Sequence, residues 1–259
     1  MPALLDAAGV CHGLRVLDAG TGPGTTARAA GARGAAVTAV DTDPGMAARV
    51  SSAVPDADVC VAALPRLPFG DGRFGAVLGN FVLNHVGNPR AALAELRRAA
   101  RPGARIALSI WAAPPAPGQA LLGRAIHAAG VTRPAHPPLL APACPCLPLL
   151  APACPCLPLL APGGDFPRTE KGFARLLRDA GLADVRCATL TWEHRATADA
   201  WWSGPAAGVA SAGQVVVGRP PATIAEMRRR YDARCAEFAG PDGVLALPHA
   251  ALPAGGGRA

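Results

Sequence analysis

The sequence predicts an α/β fold, in which a mostly parallel sheet carries helices on both faces. Two observations predict it. Short apolar segments alternate with helical stretches over residues 1–113, and the same alternation returns over residues 168–259. Such alternation favours parallel strands joined by right-handed crossovers. The chain of 259 residues is long enough for one domain of this kind with a sizeable core.

Five apolar segments predict the strands of the first part. The first segment ends at a glycine-rich loop, and the second ends at an acidic residue, Asp41. A helix is expected between these two segments, over residues 23–33. The expected strands cover residues 14–18, 36–40, 58–62, 74–79 and 105–110.

A further helix is marked between the fourth and fifth expected strands. Asn88 is a typical N-cap residue, and Pro89 suits the first helical position. Leu93 and Leu96 fall on one face of this helix. The Pro-Gly pair at 102–103 is expected to end it.

The middle part, residues 114–167, is rich in proline and contains a tandem repeat, since residues 139–148 recur letter for letter at 149–158. Its frequent prolines argue against a membrane-spanning helix and favour an irregular surface insert, partly polyproline II. Structural zinc sites usually separate their cysteines by two to four residues, whereas here they form C-P-C pairs. No metal site is therefore predicted, and a duplication accounts for the spacing of Cys144, Cys146, Cys154 and Cys156.

The third part, residues 168–259, begins with a helix and a strand. Phe173 and Leu176 lie on one face of the expected helix, which ends at Gly181. The segment 184–192 predicts the strand. Together they extend the α/β pattern of the first part.

The end of the chain predicts one more helix and one more strand. A capping box at 223–226 is expected to open the helix, with Tyr231 on its inward face. Residues 244–253 predict a last strand. Pro248 and Pro253 are expected to place it at an edge or a bulge of the sheet, because proline lacks the N–H of a ladder hydrogen bond.

Composition and charge restrict the function classes. The net charge is +7, yet Arg228–Arg230 is the longest basic run, so a nucleic-acid partner is not indicated. The first ten residues lack the basic region of a secretory signal. Eight cysteines without such a signal do not predict a disulfide scaffold. We therefore expect a cytoplasmic protein without a membrane partner, and the sequence leaves its oligomeric state open.

The chemistry is expected at the carboxyl ends of the first strands, where parallel sheets bind ligands. Asp18 precedes a loop in which Gly20, Gly22 and Gly24 allow sharp turns and let a ligand lie against the main chain. Asp41 ends the second strand. A carboxylate there accepts hydrogen bonds from both hydroxyls of a ribose. The two features together predict a nucleoside pocket.

The loop also restricts the identity of the nucleoside. Its third glycine comes one residue too early for a dinucleotide-binding fingerprint, and the Gly-Lys-Ser/Thr sequence of a P-loop is absent. An acid directly before the loop, Asp18, suits a ligand with a cationic end. Adenosine with a positively charged amino-acid tail fits, and S-adenosylmethionine is such a molecule.

Five segments carry a resemblance to a known family: VLDAGTGPG, VTAVDTDPGM, LPF, FGAVLGNFVLNHV and RPGARIALSIW. In this order they resemble the class I S-adenosylmethionine-dependent methyltransferases, most closely the small-molecule type found in actinobacteria. The resemblance covers residues 14–112 strongly and 168–259 more loosely. It implies a Rossmann-like, mostly parallel seven-stranded sheet with an antiparallel last strand and a small helical cap.

The resemblance also implies a set of cofactor contacts. The loop glycines would face the methionine part of S-adenosylmethionine, with Asp18 supporting the loop. Asp41 would hold the ribose, and Thr42 and Met46 would flank the ribose and the adenine. The full set is Asp18, Gly20, Thr21, Gly22, Gly24, Asp41, Thr42, Met46, Leu64, Asn80 and Phe81.

The later motifs of the family place the rest of the cofactor and show two departures. By the resemblance, Leu64 would offer a backbone N–H to the adenine, and Asn80 and Phe81 would lie beside the methionine tail and the sulfonium. Ala63 stands where the family often has an aspartate, which weakens recognition of the adenine amino group. Gly75 replaces another aspartate, at a cost in local order.

The expected reaction is in-line transfer of a methyl group to a small-molecule acceptor. A base is needed only if the acceptor is a hydroxyl or an acidic carbon, and His85 is the candidate; the alternative is that it packs or caps a turn. Trp111, Trp201 and Trp202 either line a pocket for an aromatic acceptor or pack internally. His194 is expected to be a solvated strand end.

Two other functions remain open. The charge permits a nucleic-acid methyltransferase, although residues 80–83 lack the N-P-P-Y pattern used on base amino groups. The departures at Ala63 and Gly75 and the repeat permit a protein that binds S-adenosylmethionine without catalysis. Salt-dependent RNA binding would favour the first, and cofactor binding without turnover would favour the second.

Overall fold

The structure is a computed structural model that describes residues 1–132, 166–208 and 210–259. The tandem repeat, with its four cysteines, lies outside these ranges. The strands are β1 (Arg15–Ala19), β2 (Ala36–Asp41), β3 (Asp58–Val61), β4 (Phe74–Asn80), β5 (Ala100–Trp111), β6 (Leu182–Cys187), β7 (Leu190–Ala196) and β8 (Leu245–Arg258). The helices are α1 (Pro2–Ala7), α2 (Thr25–Gly31), α3 (Pro44–Ala53), α4 (Pro89–Ala99), α5 (Pro117–Ala128), α6 (Glu170–Asp179), α7 (Ala198–Ala206), α8 (Ala210–Val217) and α9 (Pro221–Cys235), and a 3₁₀ turn covers Val82–Asn84.

The chain divides into two compact units. The described residues of the first unit are 1–112, 166–190 and 251–259, and those of the second are 113–132, 191–208 and 210–250. The predicted division into residues 1–113, 114–167 and 168–259 stays a prediction. Within the described residues, no helix is both long and apolar enough to cross a bilayer.

The sheet confirms the predicted α/β class. Its strand order is β3-β2-β1-β4-β5-β8-β6, with β7 also paired to β8. The first five strands are parallel, and β8 runs antiparallel to both β5 and β6. β1 is central and almost fully buried, and its side chains alternate between the two faces. Val16 packs with α1 and α2, whereas Leu17 packs with α4 and α6.

The sheet has eight described strands rather than the seven predicted, because the strand expected over 184–192 is two strands, β6 and β7. The chain turns between them at Thr189. A carboxylate oxygen of Glu170 accepts hydrogen bonds from the Thr189 N–H (2.6 Å) and hydroxyl (2.5 Å). This side-chain contact from α6 is a tertiary feature that strand periodicity does not show.

The predicted edge position is wrong for Pro253, since β8 pairs with β5 over residues 251–257 and with β6 over residues 254–258. Pro253 stands opposite Ser109 of β5, and its carbonyl accepts a hydrogen bond from the Ala188 N–H, just past the end of β6. The N–H and C=O of one residue point to the same side of an antiparallel strand. The missing N–H of Pro253 therefore costs the β5 ladder nothing.

Two predicted helix boundaries are also wrong. α9 begins at Pro221, so the predicted capping box lies inside it, and Glu226 instead pairs with Arg230 (2.7 Å). Proline at this position presets the backbone and lacks one of the N–H groups that the first turn leaves unsatisfied, and α9 has no side-chain cap. α4 has the predicted Asn88 cap on Ala91 N–H (3.0 Å), but it ends at Ala99, and residues 102–103 lie within β5.

Gly75 occupies the position where the family has an aspartate. A Cβ at Gly75 would lie 2.5 Å from Leu14 Cδ1. The register between β4 and β5 shifts at the same point, between Phe74 and Ala76. Leu14 therefore occupies the space that a side chain at position 75 would need.

Candidate cofactor site

The predicted glycine loop turns between β1 and α2 in left-handed backbone conformations. Gly20 has φ +66° and Gly22 has φ +52°, which L side chains adopt only at a cost of about 1–2 kcal/mol. A Cβ at Gly20 would lie 2.6 Å from Val82 Cγ2, whereas one at Gly22 would meet nothing within 4 Å. Gly20 thus lets the loop approach the turn after β4, and Gly22 leaves the main chain open to a ligand.

Asp41 is bonded to the glycine loop. Its Oδ2 accepts a hydrogen bond from the Gly22 N–H (2.8 Å), and its Oδ1 accepts one from the Asp43 N–H (3.0 Å). Each carboxylate oxygen has two acceptor sites, so both retain capacity for a ribose hydroxyl. The bond to Gly22 joins the glycine loop to the acid at the end of β2, the two features that predict a nucleoside pocket.

Asp18 lies beneath the loop and is 1% exposed. Its Oδ2 accepts a hydrogen bond from the Thr21 hydroxyl (2.6 Å), whereas Oδ1 makes none of normal geometry within the described residues. Burial raises the pKa of Asp18 to about 6; the Thr21 hydroxyl and the Ala27 N–H lower it, and Asp41 raises it slightly. A buried carboxylate with spare acceptor capacity suits a cationic ligand end.

The end of β4 forms a second wall of the site. Asn80 is half-buried, and its Oδ1 accepts a hydrogen bond from the Ser109 hydroxyl (2.6 Å). Phe81 has a left-handed backbone (φ +61°), and its N–H donates to both the hydroxyl and the carbonyl of Ser109, at 3.1 Å each. The buried Ser109 thus fixes the two residues that the resemblance places beside the methionine tail.

An aromatic pair lies where the chain leaves β4. The Phe81 and Trp111 rings are stacked, with centroids 4.0 Å apart and an interplanar angle of 16°. The Asn84 side chain accepts a hydrogen bond from the Trp111 N–H (3.2 Å), which fixes the turn after β4 to the end of β5. The stack is half-buried and gives this part of the first unit a flat apolar surface.

The remaining predicted contacts lie on the strand ends next to the loop. Thr42 is exposed directly after β2, and Met46 is half-buried in the first turn of α3. Asp43 caps that turn by accepting hydrogen bonds from the Gly45 and Met46 N–H groups. Leu64 is 6% exposed, with its side chain in the core, so it offers a ligand its backbone only.

His85 follows the 3₁₀ turn and is accessible to solvent. The protein atoms around the ring still lower its pKa by desolvation; Arg168 lowers it further, and Asp41 raises it. His85 follows β4, whose carboxyl end lies at the same edge of the parallel sheet as that of β2, where Asp41 lies.

The other aromatic candidates lie in the second unit. Trp202 is buried and packs with Tyr231 (centroids 5.2 Å apart), so of the two alternatives it packs internally. His194 is half-buried rather than a solvated strand end, because its ring packs against Trp201 (4.8 Å) and the buried His249 (5.9 Å). Sequence reasoning missed His249, which no local pattern marks.

A cavity of about 760 Å³ lies elsewhere in the first unit. Asp6 of α1, Arg105 of β5 and Arg186 of β6 help to line it. It shares no lining residue with the predicted cofactor contacts. This cavity is therefore separate from the predicted cofactor contacts.

The contacts at the strand ends fit S-adenosylmethionine. Gly22 leaves room against the main chain, Asp41 has capacity for two hydroxyls, and Asp18 places an acid beneath the loop. No group of three metal-ligating side chains occurs within the described ranges. Ser109 was missed, because a serine inside an apolar strand carries no motif.

Comparison with known proteins supports a methyltransferase. A family model described as a methyltransferase domain matches residues 17–108. The demethylmenaquinone methyltransferase of Beutenbergia cavernae is 39% identical over 122 residues, which is 47% of this chain and 51% of that protein. The enzyme of the same name from Renibacterium salmoninarum is 35% identical over 111 residues, 43% of this chain and 47% of that protein. The matches thus span about half the length of these curated relatives.

Solved structures share the fold over nearly the whole chain. The YcgJ protein from Bacillus subtilis has a TM-score of 0.60 at 16% identity and covers 99% of this chain and 97% of its own. A Haemonchus contortus phosphoethanolamine N-methyltransferase, solved in complex with S-adenosyl-L-methionine, has a TM-score of 0.55 at 13% identity, covering 100% of this chain and 52% of its own. Residues 17–108 thus match a methyltransferase domain, and the chain shares the fold of these two solved proteins.

Proposed function

We infer that the protein transfers a methyl group from S-adenosylmethionine to a small-molecule acceptor by in-line displacement. The observation that supports this most directly is the hydrogen bond between Asp41 and the Gly22 N–H, which joins the acid of β2 to the glycine loop. The match of residues 17–108 to a methyltransferase domain supports the same reaction class.

The chain's own residues bind and orient. When bound, S-adenosylmethionine supplies a methyl group activated by the positive charge on its sulfur. Asp41 holds the ribose, the loop around Gly22 holds the methionine part, and the Phe81–Trp111 stack keeps water from one side. Holding donor and acceptor in line supplies several kcal/mol of the barrier, up to roughly 7–11 in the best cases.

An aromatic acceptor is the class that the site favours. The relatives with the highest identities given above are named demethylmenaquinone methyltransferases, and the flat Phe81–Trp111 surface lies beside the predicted methionine contacts. Aromatic rings stack favourably on such a surface, by about 0.5–1.5 kcal/mol beyond area burial. We therefore propose a small aromatic acceptor that bears a hydroxyl or an acidic ring carbon.

A methyl-transfer assay with a panel of acceptors tests this proposal. The panel contains a reduced demethylmenaquinone, simple phenols, primary amines and a structured RNA, each with methyl-labelled S-adenosylmethionine. We expect label in one or more of the aromatic acceptors. Label in the RNA alone would make this a nucleic-acid methyltransferase, and cofactor binding without transfer to any acceptor would make it a binding protein.

His85 is proposed as the base that takes the acceptor's proton. Because its pKa lies below the ordinary 6.5, the imidazole is neutral at pH 7, and the rate should rise with pH to a plateau near pH 7. We expect His85→Gln to lower kcat by about 10²–10⁴-fold and to flatten this profile, with S-adenosylmethionine affinity unchanged. His127→Gln, at an exposed position in α5, is the matched control. An unchanged profile in His85→Gln would leave His85 a turn residue only.

A further inference from the structure

The end of β4 lies level with the glycine loop. Asp18 of β1 pairs with Leu78 of β4, so Gly20, just past the end of β1, and Asn80, the last residue of β4, each lie two residues beyond this pair. The closeness of Val82 to the Cβ position of Gly20 shows that the two connections are in contact. Asn80 therefore stands beside the main chain that we assign to the methionine part of the cofactor.

Ser109 determines which end of the Asn80 amide faces that loop. The Ser109 hydroxyl accepts the Phe81 N–H and has one proton, which it donates to Asn80 Oδ1. In the opposite amide orientation the hydroxyl would receive two N–H donors, and its own proton would lose its acceptor. The network therefore holds the carbonyl end of Asn80 on Ser109 and leaves the amide NH₂ group, a pure donor, directed away from it.

We propose that Asn80, oriented by Ser109 as a positioning residue, binds the carboxylate of the cofactor's amino-acid end. That end carries one acceptor group, the carboxylate, and one donor group, the ammonium. An NH₂ group has two donors and no acceptor, so it suits the carboxylate only. Asp18, an acid beneath the same loop, has the opposite chemistry and suits the ammonium. This assignment rests on the proposed function, because it requires the cofactor to bind at the glycine loop.

Calorimetry with two ligands tests the assignment without requiring turnover. S-adenosylmethionine carries the carboxylate, and decarboxylated S-adenosylmethionine retains the ammonium and lacks the carboxylate. Asn80→Asp keeps the size of the side chain and the acceptor for Ser109, but turns a carboxylate towards the ligand. We expect the variant to bind S-adenosylmethionine on the order of tenfold or more weakly, because like charges would face each other, and to bind the decarboxylated ligand as the parent does.

Ser109→Ala provides a second variant that leaves Asn80 in place. We expect about tenfold weaker S-adenosylmethionine binding, a smaller change for the decarboxylated ligand, and recovery in Ser109→Thr, which restores a hydroxyl. Ser52→Ala, in the exposed part of α3, is the control. If both variants lose affinity equally for both ligands, the assignment of Asn80 to the carboxylate is wrong, while the proposed function stands. A parent that binds neither ligand would overturn the proposed function together with it.

Discussion

Replacement of Asp41 by alanine is expected to weaken S-adenosylmethionine binding on the order of 100-fold. The carboxylate accepts hydrogen bonds from Gly22 and Asp43 and keeps one acceptor site on each oxygen for the ribose hydroxyls. Hydrogen bonds to a charged group contribute about 1.5–3 kcal/mol each, and about 1.4 kcal/mol corresponds to tenfold in affinity. The variant also releases the Gly22 N–H, so the loop loses the bond that orients it.

Titration calorimetry of the parent and of two variants measures this effect. Asp43→Ala is the matched control, because it removes a neighbouring carboxylate whose hydrogen bonds cap α3. We expect its affinity to stay within about threefold of the parent. Equal affinities of the parent and Asp41→Ala would remove Asp41 from the ribose site and, with it, the main support for the proposed function.

Replacement of Asp18 by asparagine is expected to change how stability depends on pH. Burial raises the pKa of Asp18 from 3.8 to about 6 in the folded protein, so the folded state binds the proton more tightly than the unfolded chain. The parent therefore loses stability from this group as the pH rises from about 4 to about 6. Since one pKa unit corresponds to about 1.4 kcal/mol, the loss is about 3 kcal/mol by pH 7. Asparagine does not titrate and avoids this loss.

Denaturant unfolding between pH 4 and pH 7, without ligand, tests the prediction. The free energy of unfolding of Asp18→Asn, relative to the parent, should increase by about 2–2.5 kcal/mol over this range, because a small part of the loss is already complete at pH 4. Asp56→Asn, which removes an exposed carboxylate, should give a curve parallel to that of the parent. A parallel curve for Asp18→Asn would show that Asp18 does not titrate as a buried acid.

The local elements of the nucleotide-binding half were predictable from the sequence because their signals are short in range. β1, β2, β4 and the Asn88 cap of α4 agree with the predictions to within one or two residues. The glycine loop was identified from its spacing, and its positive φ angles confirm the turn that this spacing indicated. The roles of the individual contact residues stay predictions.

The sequence-based predictions that are wrong concern places where distant parts of the chain meet. A proline cannot donate to a ladder, which predicts an edge position for Pro253. Pro253 nevertheless lies in an interior part of β8, and the sheet accommodates it because the missing N–H faces the end of β6 rather than β5. The split between β6 and β7 depends on Glu170, and the environment of His194 depends on Trp201 and His249. These contacts join residues far apart in the sequence, so no local pattern of residues predicts them.

The sequence by itself determined the α/β class, the approximate positions of its first strands along the chain, and the glycine loop and Asp41 as the place for a nucleoside. Periodicity, turn residues and strand-end acids are local properties, so these features required no knowledge of the packed chain. Only the tertiary structure decided that Asp18 is buried and that Ser109 orients Asn80. Burial and side-chain hydrogen bonds arise when strands far apart in the sequence become neighbours, and this brings β5 against the end of β4.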